Sequence, residues 1–307
     1  MQALLLYSPS AGEDGPSKDQ LIDLFRQEGF DPCYCSVKDP GIVEVLGQPH
    51  DLIVAIGGDG TVTRVLTHMP DRSIPVAILP QGTANNIARS LGISGSPETL
   101  VPGLRNARKQ PFDIAAATGP WGKHRFIEAV GLGLLARAMA EIDAADISGQ
   151  EQLLCSRRTF GRLLMEAEPE CLEMTLDGKE LSGDFLVLEI MNISHVGPGL
   201  KLAINADPGD RLLDVVHARA DRRAALLEWL NEGKPGEEPP VDITRAAEVK
   251  ITWAGTSLRL GDNFSPAPGA VPKLTVGLEP EQACVLIPSI DTSPADTSPA
   301  NREESRP

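Results

Sequence analysis

The chain has 307 residues, of which 41% are hydrophobic, so it is long enough for two domains that each bury a core. Its 43 acidic and 28 basic side chains give a formal net charge of −15, which argues against broad attraction to nucleic acid or to anionic membranes. Five cysteines form no CxxC pair and no metal-ligand spacing with the histidines, so they are expected to be reduced thiols.

The first residues carry no basic segment ahead of their apolar run, and that run is too short for a signal peptide. No later stretch approaches the ~18 apolar residues of a membrane span. Together these observations predict a soluble, cytoplasmic protein that meets a membrane only peripherally, at the inner surface.

Short apolar runs alternate with amphipathic stretches through the first third of the chain. Residues 51–56 (DLIVAI) and 74–80 (IPVAILP) read as buried strands, and each is followed by glycines and then by a helical pattern. Such alternation is typical of a parallel sheet that helices cover on both faces. The pattern therefore predicts an α/β domain over residues 1–115.

Longer β-type runs follow one another, with turns between them, in the rest of the chain. This succession of strands and turns predicts a largely antiparallel β-sandwich over residues 116–288, with helices packed at one end. Three such helices are predicted at about 133–146, 150–167 and 221–230. The remaining residues, 289–307, contain a tandem DTSPA repeat and too little apolar surface to fold, so they are predicted to be disordered.

Glycines and short polar side chains follow both buried strands, as GGDGT at 57–61 and QGTANN at 81–86. Glycines let backbone N–H groups approach a ligand, and helix N-termini favour anions, so both turns are candidates for a phosphate site. A right-handed crossover would bring them to the same carboxyl edge of the sheet. Phosphate would repel Asp59 unless a divalent cation lay between them, so Asp59 is predicted to hold Mg²⁺. An ordinary strand-to-helix turn is the alternative.

Neither standard nucleotide-binding signature explains these turns. The chain contains no G-x-x-x-x-G-K-[ST], which excludes a P-loop. Residues 131–136 (GLGLLA) match the dinucleotide pattern G-x-G-x-x-[GA] after an apolar run. That match lies where the strand and helix alternation ends, and close packing of a helix against a strand is the alternative explanation for its glycines.

The turn at 57–61, followed by P-x-GTANN-x-ARSLGI at 80–93, resembles the diacylglycerol kinase catalytic family, which includes bacterial lipid kinases and sphingosine kinases and is distantly related to NAD kinases. Weaker similarity continues through PFDIA at 111–115, EAVGLG at 128–133 and ADPGDRLLDVV at 206–216. The resemblance implies an α/β domain, a C-terminal β domain and ATP bound in the cleft between them. It also implies transfer of the γ-phosphoryl group of Mg·ATP to a lipid hydroxyl such as that of diacylglycerol.

The turns and the resemblance together identify candidate ligands of ATP and of metal ions. The predicted ATP-binding residues are Ser36, Gly57, Gly58, Asp59, Gly60, Thr61, Gly82, Thr83 and Asn85. The resemblance gives Asp59 to the Mg²⁺ of the nucleotide. It implies a second, structural Mg²⁺ at Asp207, Asp210 and the carbonyl of Leu212, although Arg211 stands where relatives usually have glycine.

The strongest departure from the family lies at Leu260, Gly261 and Asp262, where relatives carry Asp-Gly-Glu and obtain the general base from it. An alcohol needs a base near the transition state, an effect worth about 10²–10⁴-fold. Asp262 is the predicted base, and an ordinary turn aspartate is the alternative. This departure motivates a second function, a nucleotide- or lipid-binding protein without turnover. A kinase of a soluble acceptor such as NAD or a sugar is a third alternative.

A lipid kinase has to reach a substrate in the membrane, so basic side chains are of interest in this acidic chain. They form two clusters, Arg105, Arg108 and Lys109 in the first and Arg157, Arg158 and Arg162 in the second. The second lies on a predicted helix that could touch lipid headgroups. A solvated helix face is the alternative. A homodimer is compatible with the sequence.

Overall fold

The structure is a computed structural model. It describes residues 1–8, 15–143, 149–232, 237–252, 257–261 and 273–289. Apart from Ser289, the tail predicted to be disordered lies outside the described residues, and so does Asp262.

Strands and helices alternate in the first part of the chain, as predicted. They are β1 (Gln2–Tyr7), α1 (Lys18–Gln27), β2 (Asp31–Ser36), α2 (Ile42–Leu46), β3 (Leu52–Gly57), α3 (Asp59–His68), β4 (Val76–Pro80), α4 (Asn86–Ser90), α5 (Pro97–Leu100), a 3₁₀ turn (Pro102–Asn106) and β5 (Arg108–Phe112).

The second part is mainly β, with helices close to the three predicted positions. Its elements are β6 (Ala115–Gly119), β7 (Gly122–Phe126), β8 (Ala129–Gly133), α6 (Leu134–Asp143), α7 (Gly149–Glu166), β9 (Glu170–Leu176), β10 (Lys179–Glu180), β11 (Gly183–Phe185), β12 (Val187–Met191), β13 (His195–Val196), β14 (Leu200–Lys201), β15 (Leu213–Ala218), a 3₁₀ turn (Ala220–Arg222), α8 (Arg223–Glu232), β16 (Asp242–Ala246), β17 (Glu248–Thr252), β18 (Leu258–Leu260), β19 (Lys273–Leu278) and β20 (Ala283–Ile287).

Six described strands form the N-terminal sheet, in the order β2-β1-β3-β4-β20-β5. The first five run parallel, and β5 lies antiparallel to β20. Every residue of β3 is buried, which explains its continuous apolar run, because helices cover both faces of a parallel sheet. Leu21 and Phe25 of α1 and Val65 of α3 belong to the core on this sheet.

The position of β20 differs from the predicted division of the chain at residue 115. The prediction placed this run in the second domain, whereas β20 pairs with β4 in the N-terminal sheet, with Val285 opposite Val76. A short apolar run has the same pattern in either sheet, so tertiary contacts decide which partner it takes.

The predicted antiparallel sandwich is confirmed in the second part of the chain. One sheet has the order β10-β9-β17-β19-β6-β7, with β11 beside β9, and the other has the order β16-β15-β12-β8-β18. Apolar side chains from both sheets, such as Phe126, Leu132 and Val249, form one core between them. Helices α6, α7 and α8 cover the outer face of the second sheet. Among the described helices, none has the length and apolar content that a membrane span requires.

Two neighbouring segments join the domains, at 112–115 and 278–283, and are called the crossover segments below. The first leads from β5 into β6, and the second leads from β19 back to β20. They are paired by a hydrogen bond in which the Glu279 N–H donates to the Ile114 carbonyl at 2.7 Å. The chain therefore passes between the domains at one place, beside the sheet that carries the two glycine turns.

Candidate active site

The two glycine turns meet at one edge of the N-terminal sheet. Strands β3 and β4 lie side by side with Gly57 opposite Pro80, and the Gln81 N–H donates to the Gly57 carbonyl at 2.9 Å. A Cβ on Gly82 would lie closer than 3.0 Å to the Cα of Gly58, so the turns touch backbone to backbone. The prediction that both turns open on the same carboxyl edge is confirmed.

Within the first turn, the glycines have different roles. A Cβ on Gly57 would overlap the Thr61 hydroxyl, so Gly57 makes room for a buried side chain on the first turn of α3. The Thr61 N–H donates to the Gly58 carbonyl at 3.0 Å. Gly60 is exposed, and a Cβ there would meet nothing within 4 Å. The backbone at Gly60 is therefore open to a ligand.

The Asp59 side chain connects the two turns. Its Oδ2 accepts a hydrogen bond from the Asn86 N–H and its Oδ1 accepts one from the Ile87 N–H, both at 2.9 Å. The carboxylate thus holds the start of α4, a role that the sequence did not indicate because the partners are 27 and 28 residues away. An ionised carboxylate offers about four acceptor positions, so accepting two N–H groups is compatible with holding a metal ion or its water as well. The residues fit a Mg²⁺ ion between Asp59 and a phosphate.

Asn85 shapes the second turn. It adopts left-handed backbone geometry, with φ 49, and both polar atoms of its amide engage one glycine. Its Oδ1 accepts from the Gly82 N–H at 2.9 Å, and its Nδ2 donates to the Gly82 carbonyl at 2.7 Å. Thr83, between them, is exposed at the tip. The geometry therefore presents Thr83 and the turn backbone outward, with Asn85 as their brace.

Ser36 lies on the same edge of the sheet but two strands away from β3. Ser36 of β2 pairs with Tyr7 of β1, and Tyr7 in turn pairs with Ile56 of β3. Neighbouring strands are about 4.8 Å apart, which puts Ser36 roughly 10 Å to the side of the glycine turns. The Ser36 hydroxyl accepts from the Lys38 N–H at 3.2 Å. Ser36 therefore lies apart from the two glycine turns, and its part in binding ATP stays a prediction from the resemblance.

Helix α4 also ties the phosphate turns to the second domain. The Asn86 side chain donates to the Gly197 carbonyl at 3.0 Å and to Glu128 Oε2 at 3.4 Å, and Glu128 is buried. Asp59 binds the backbone of Asn86, so a short chain of contacts runs from the first turn to the second domain. Sequence reasoning missed this connection because it depends on three separate segments.

A second contact of α4 involves His195. Its Nδ1 lies 3.1 Å from the Ser90 hydroxyl and 2.9 Å from the Ser194 hydroxyl, and the two hydroxyls are 3.0 Å apart. Burial, together with the cations Arg89 and Lys201, lowers the pKa of His195 to about 4. The imidazole is therefore neutral near pH 7, and it belongs to a hydrogen-bonded cluster in which Ser194 donates to Ser90 and Ser90 donates to the Asn86 carbonyl.

The position of Leu260 explains one departure from the family pattern. Leu260 ends β18 and is fully buried in the sandwich core, where a carboxylate would be expensive to place. Gly261 follows with φ 61, and its carbonyl accepts from the Arg259 guanidinium at 3.0 Å. The predicted base, Asp262, comes next and lies outside the described residues.

Arg259 is itself held by a buried carboxylate. Glu189, Gly131 and Arg259 lie opposite one another on three adjacent strands, and Arg259 Nη2 donates to Glu189 Oε2 at 3.3 Å. A Cβ on Gly131 would overlap the Glu189 carboxylate, so the glycine leaves room for the pair. Burial raises the pKa of Glu189 to about 7, although Arg259 opposes this shift.

The structure also argues against a dinucleotide-binding site at residues 131–136. Strand β8, which contains Gly131 and Gly133, runs antiparallel to both of its neighbours, β12 and β18. A Cβ on Gly133 would approach the Glu170 carboxylate within 3.0 Å. The glycines at 131–136 therefore serve packing, and they do not open a dinucleotide-binding unit.

The loop predicted to bind a second metal ion has its carboxylates engaged within the protein. Asp207 Oδ1 accepts from the Gly209 N–H at 2.9 Å, and Asp210 Oδ1 accepts from the Leu212 N–H at 3.0 Å. Asp210 Oδ2 forms an ion pair with Arg245. No group of three or more His, Cys, Asp or Glu side chains in the described ranges is arranged to hold a metal ion. A metal ion here would have to displace Arg245, so these residues fit it poorly, and it stays a prediction from the resemblance alone.

Comparison with known proteins covers both parts of the chain. Residues 2–117 match the family model described as the diacylglycerol kinase catalytic domain. Residues 129–285 match the model described as the YegS C-terminal NAD kinase beta sandwich-like domain.

Individual relatives agree with these matches. A diacylglycerol kinase of Bacillus subtilis is 24% identical over 267 residues, which cover 81% of this chain and 85% of the relative. A YegS-like lipid kinase of Klebsiella pneumoniae is 31% identical over 225 residues, which cover 69% and 72%. The crystal structure of a diacylglycerol kinase from Bacillus anthracis superposes with a TM-score of 0.70 at 20% identity, covering 93% and 96% of the two chains, so it has the same fold.

Proposed function

Because the chain belongs to the diacylglycerol kinase and YegS-like lipid kinase family, we propose that it transfers the γ-phosphoryl group of Mg·ATP to a lipid hydroxyl such as that of diacylglycerol. The observation that carries the proposal is the pair of glycine turns packed against each other, with Asp59 between them. Phosphoryl transfer depends mainly on positioning and charge neutralisation, and these turns are suited to both.

The phosphates of ATP would lie on the first turn, at the N-terminus of the ten-residue helix α3. Unpaired backbone N–H groups and the helix dipole favour an anion there. Asp59 would hold Mg²⁺, directly or through water, and the ion would neutralise charge on the phosphates. Because Asp59 also fixes the start of α4, one side chain would set both the metal position and the distance between the turns.

Asp262 would accept the proton of the lipid hydroxyl. Leu260 is buried in the sandwich core, so the first carboxylate of the family motif has no counterpart in this chain. Gly261 is anchored on both sides of its peptide unit, because its N–H donates to the Ala129 carbonyl at 3.0 Å and its carbonyl accepts from Arg259. The backbone of Gly261, the residue before the proposed base, is thus held in place.

The burial of Leu260 also favours a second candidate function, a protein that binds nucleotide and lipid without turnover. The two functions share the nucleotide site and differ in whether phosphate reaches an acceptor. A kinase of a soluble acceptor such as NAD or a sugar is the third outcome of the same test.

The test is incubation of the purified protein with radiolabelled ATP, Mg²⁺ and mixed micelles of diacylglycerol, with parallel tubes that contain NAD or sugars. We expect label in the organic phase, and a loss of about 10²–10⁴-fold in the Asp262→Asn variant. ATP binding by calorimetry without any labelled product would support the protein without turnover. Label only in water-soluble products would support the third function, and an unaffected Asp262→Asn variant would refute the assignment of the base.

We propose that the protein reaches lipid through the exposed face of α7. Leu154 and Met165 are each 61% exposed, eleven residues apart and therefore on one side of the helix, and Arg158 lies between them. Arg157 is exposed beside them. Apolar side chains flanked by arginines suit an anionic membrane surface. The other cluster is less suited, because Arg105 donates to the Glu28 and Gly29 carbonyls.

Replacing Leu154 and Met165 together with glutamine is expected to weaken binding to phosphatidylglycerol-containing vesicles about 10-fold, because two apolar side chains lose their burial in the interface. Vesicle co-sedimentation measures this, and added salt should weaken binding further by screening the arginines. Val43→Gln is the control, since Val43 is 51% exposed on a different helix. Equal binding by the double variant would exclude this face as the contact.

A further inference from the structure

Arg211 lies in the loop between β14 and β15 and bonds to both crossover segments. Its N–H donates to Asp113 Oδ2 at 2.9 Å, and its Nη1 donates to Asp113 Oδ1 at 2.6 Å. Its Nη2 donates to the Glu279 carbonyl at 2.8 Å. Asp113 belongs to the first segment and Glu279 to the second, so one residue ties both connections to a loop of the second domain.

Asp113 is the buried centre of this arrangement. Its side chain is fully inaccessible to solvent, and a buried carboxylate requires compensating partners. Besides Arg211, the Gln282 side chain donates to Asp113 Oδ1 at 3.1 Å and to the Gly209 carbonyl at 2.9 Å. The loop is pressed onto the end of β5, directly before the first segment, because a Cβ on Gly209 would lie closer than 3.0 Å to the Pro111 carbonyl.

The backbone of Arg211 is in an unfavourable conformation. Its φ is 68, in the left-handed region that residues other than glycine avoid unless their surroundings hold them there. Glycine would relieve this strain, and glycine is the residue that the family resemblance leads one to expect at this position. An arginine at such a position is explained if its side chain supplies bonds that outweigh the strain.

Positive charge at this loop comes from arginine. Asp210 pairs with Arg245, whose Nε also lies 3.8 Å from Asp214 Oδ1. Asp113 pairs with Arg211. Asp210 in the loop and Asp113 in the first crossover segment therefore each have an arginine partner, which is the role that a bound metal ion would otherwise play. Asp207 instead accepts from the Gly209 N–H and from the Gln110 side chain, both of which are uncharged.

We propose that Arg211, Asp113, Glu279 and Gln282 form a latch that fixes the two domains to each other, and that the loop works without a divalent cation. Arginine suits this task because its planar, forked guanidinium can bond two segments at once. The latch is a property of the folded chain, so its test needs neither nucleotide nor lipid and is independent of the kinase activity.

The decisive variant is Arg211→Gly, for which the two explanations predict opposite signs. If the side chain is merely tolerated, relief of the strained φ should raise Tm. If the latch exists, Tm should fall by several °C, and amide exchange should accelerate in peptides that cover the crossover segments. The control is Arg222→Gly, which removes an exposed ion pair with Asp242 at 3.7 Å and should shift Tm by about 1–2 °C at most. A rise in Tm would overturn the latch.

A second variant serves if Arg211→Gly does not fold. Arg211→Lys keeps the charge and the strained backbone, but it replaces the two guanidinium nitrogens that bond Asp113 and the Glu279 carbonyl with a single ammonium group on a more flexible stem. We expect its Tm to lie below that of the wild type, and an equal Tm would contradict the latch.

The metal-free part is tested by thermal unfolding of the full chain in EDTA and in Mg²⁺, without nucleotide. We expect the two Tm values to agree within about 1 °C, because an ion that binds only the folded state would raise Tm. The comparison is repeated with Asp59→Asn, so that binding at the phosphate turns is not counted. A rise in Tm with Mg²⁺ that persists in this variant would overturn the proposal.

Discussion

Changing Asp59 to alanine is expected to lower the rate of phosphoryl transfer by about 10²–10³-fold. The substitution removes the proposed ligand of Mg²⁺, and loss of a preorganised charge at a phosphoryl centre costs about 10²–10³-fold in rate. It also leaves the Asn86 and Ile87 N–H groups without their acceptor. Each lost hydrogen bond destabilises by about 1–3 kcal/mol, so Tm should fall as well. The lipid transfer assay and thermal unfolding measure the two effects separately.

Asp59→Asn separates catalysis from structure. Asparagine keeps the size and one acceptor oxygen but loses the charge that holds a metal ion. We expect transfer to fall nearly as far as in Asp59→Ala, with a smaller loss in Tm. If Asp59→Asn were to retain more than about a tenth of the activity, the carboxylate would be a cap of α4 and not a metal ligand.

Gly82→Ala is expected to separate the two glycine turns. The new Cβ would overlap the Cα of Gly58, and both are backbone-bound atoms that cannot rotate out of the way. Overpacking of this kind destabilises by about 1–3 kcal/mol, and here it would also displace the proposed phosphate site. ATP binding by calorimetry should disappear, and Tm should fall by about 3–10 °C.

The matched comparison for stability is Gly60→Ala, in the first of the same two turns. A Cβ on Gly60 would meet nothing within 4 Å, so the Tm of the Gly60→Ala variant should stay within about 2 °C of that of the wild type. If Gly82→Ala bound ATP normally, contact between the turns would not be required for nucleotide binding, and the central geometry of the proposed function would be refuted.

The sequence was most informative where structure depends on neighbours along the chain. The run at 51–56 and the glycines after it predicted a strand, a turn and a helix. A strand that is buried on both faces has a continuous apolar run, and a backbone position with positive φ or a close neighbour is marked by glycine. Adjacency of the two turns also followed, since a right-handed crossover between parallel strands leaves few arrangements. The fold class was predicted from these regularities.

Contacts between distant segments could not be predicted in the same way. The acceptors that Asp59 provides for α4, the row formed by Glu189, Gly131 and Arg259, and the bonds of Arg211 each join residues tens of positions apart. Periodicity identifies which face of an element is buried, but it does not say what covers that face. Gly131 illustrates this limit. A glycine that belongs to a dinucleotide-binding motif and a glycine that leaves room for a carboxylate cannot be distinguished in the sequence.

The path of the chain through β20 has a consequence for biosynthesis. Strands β4 and β5 are both completed by β20, which comes more than 160 residues later than β5 in order of synthesis. Until that strand emerges from the ribosome, β4 has an open edge of the kind that recruits other chains. A fragment cut after β5 would keep that edge permanently, so we expect the α/β part to aggregate when it is expressed without β20.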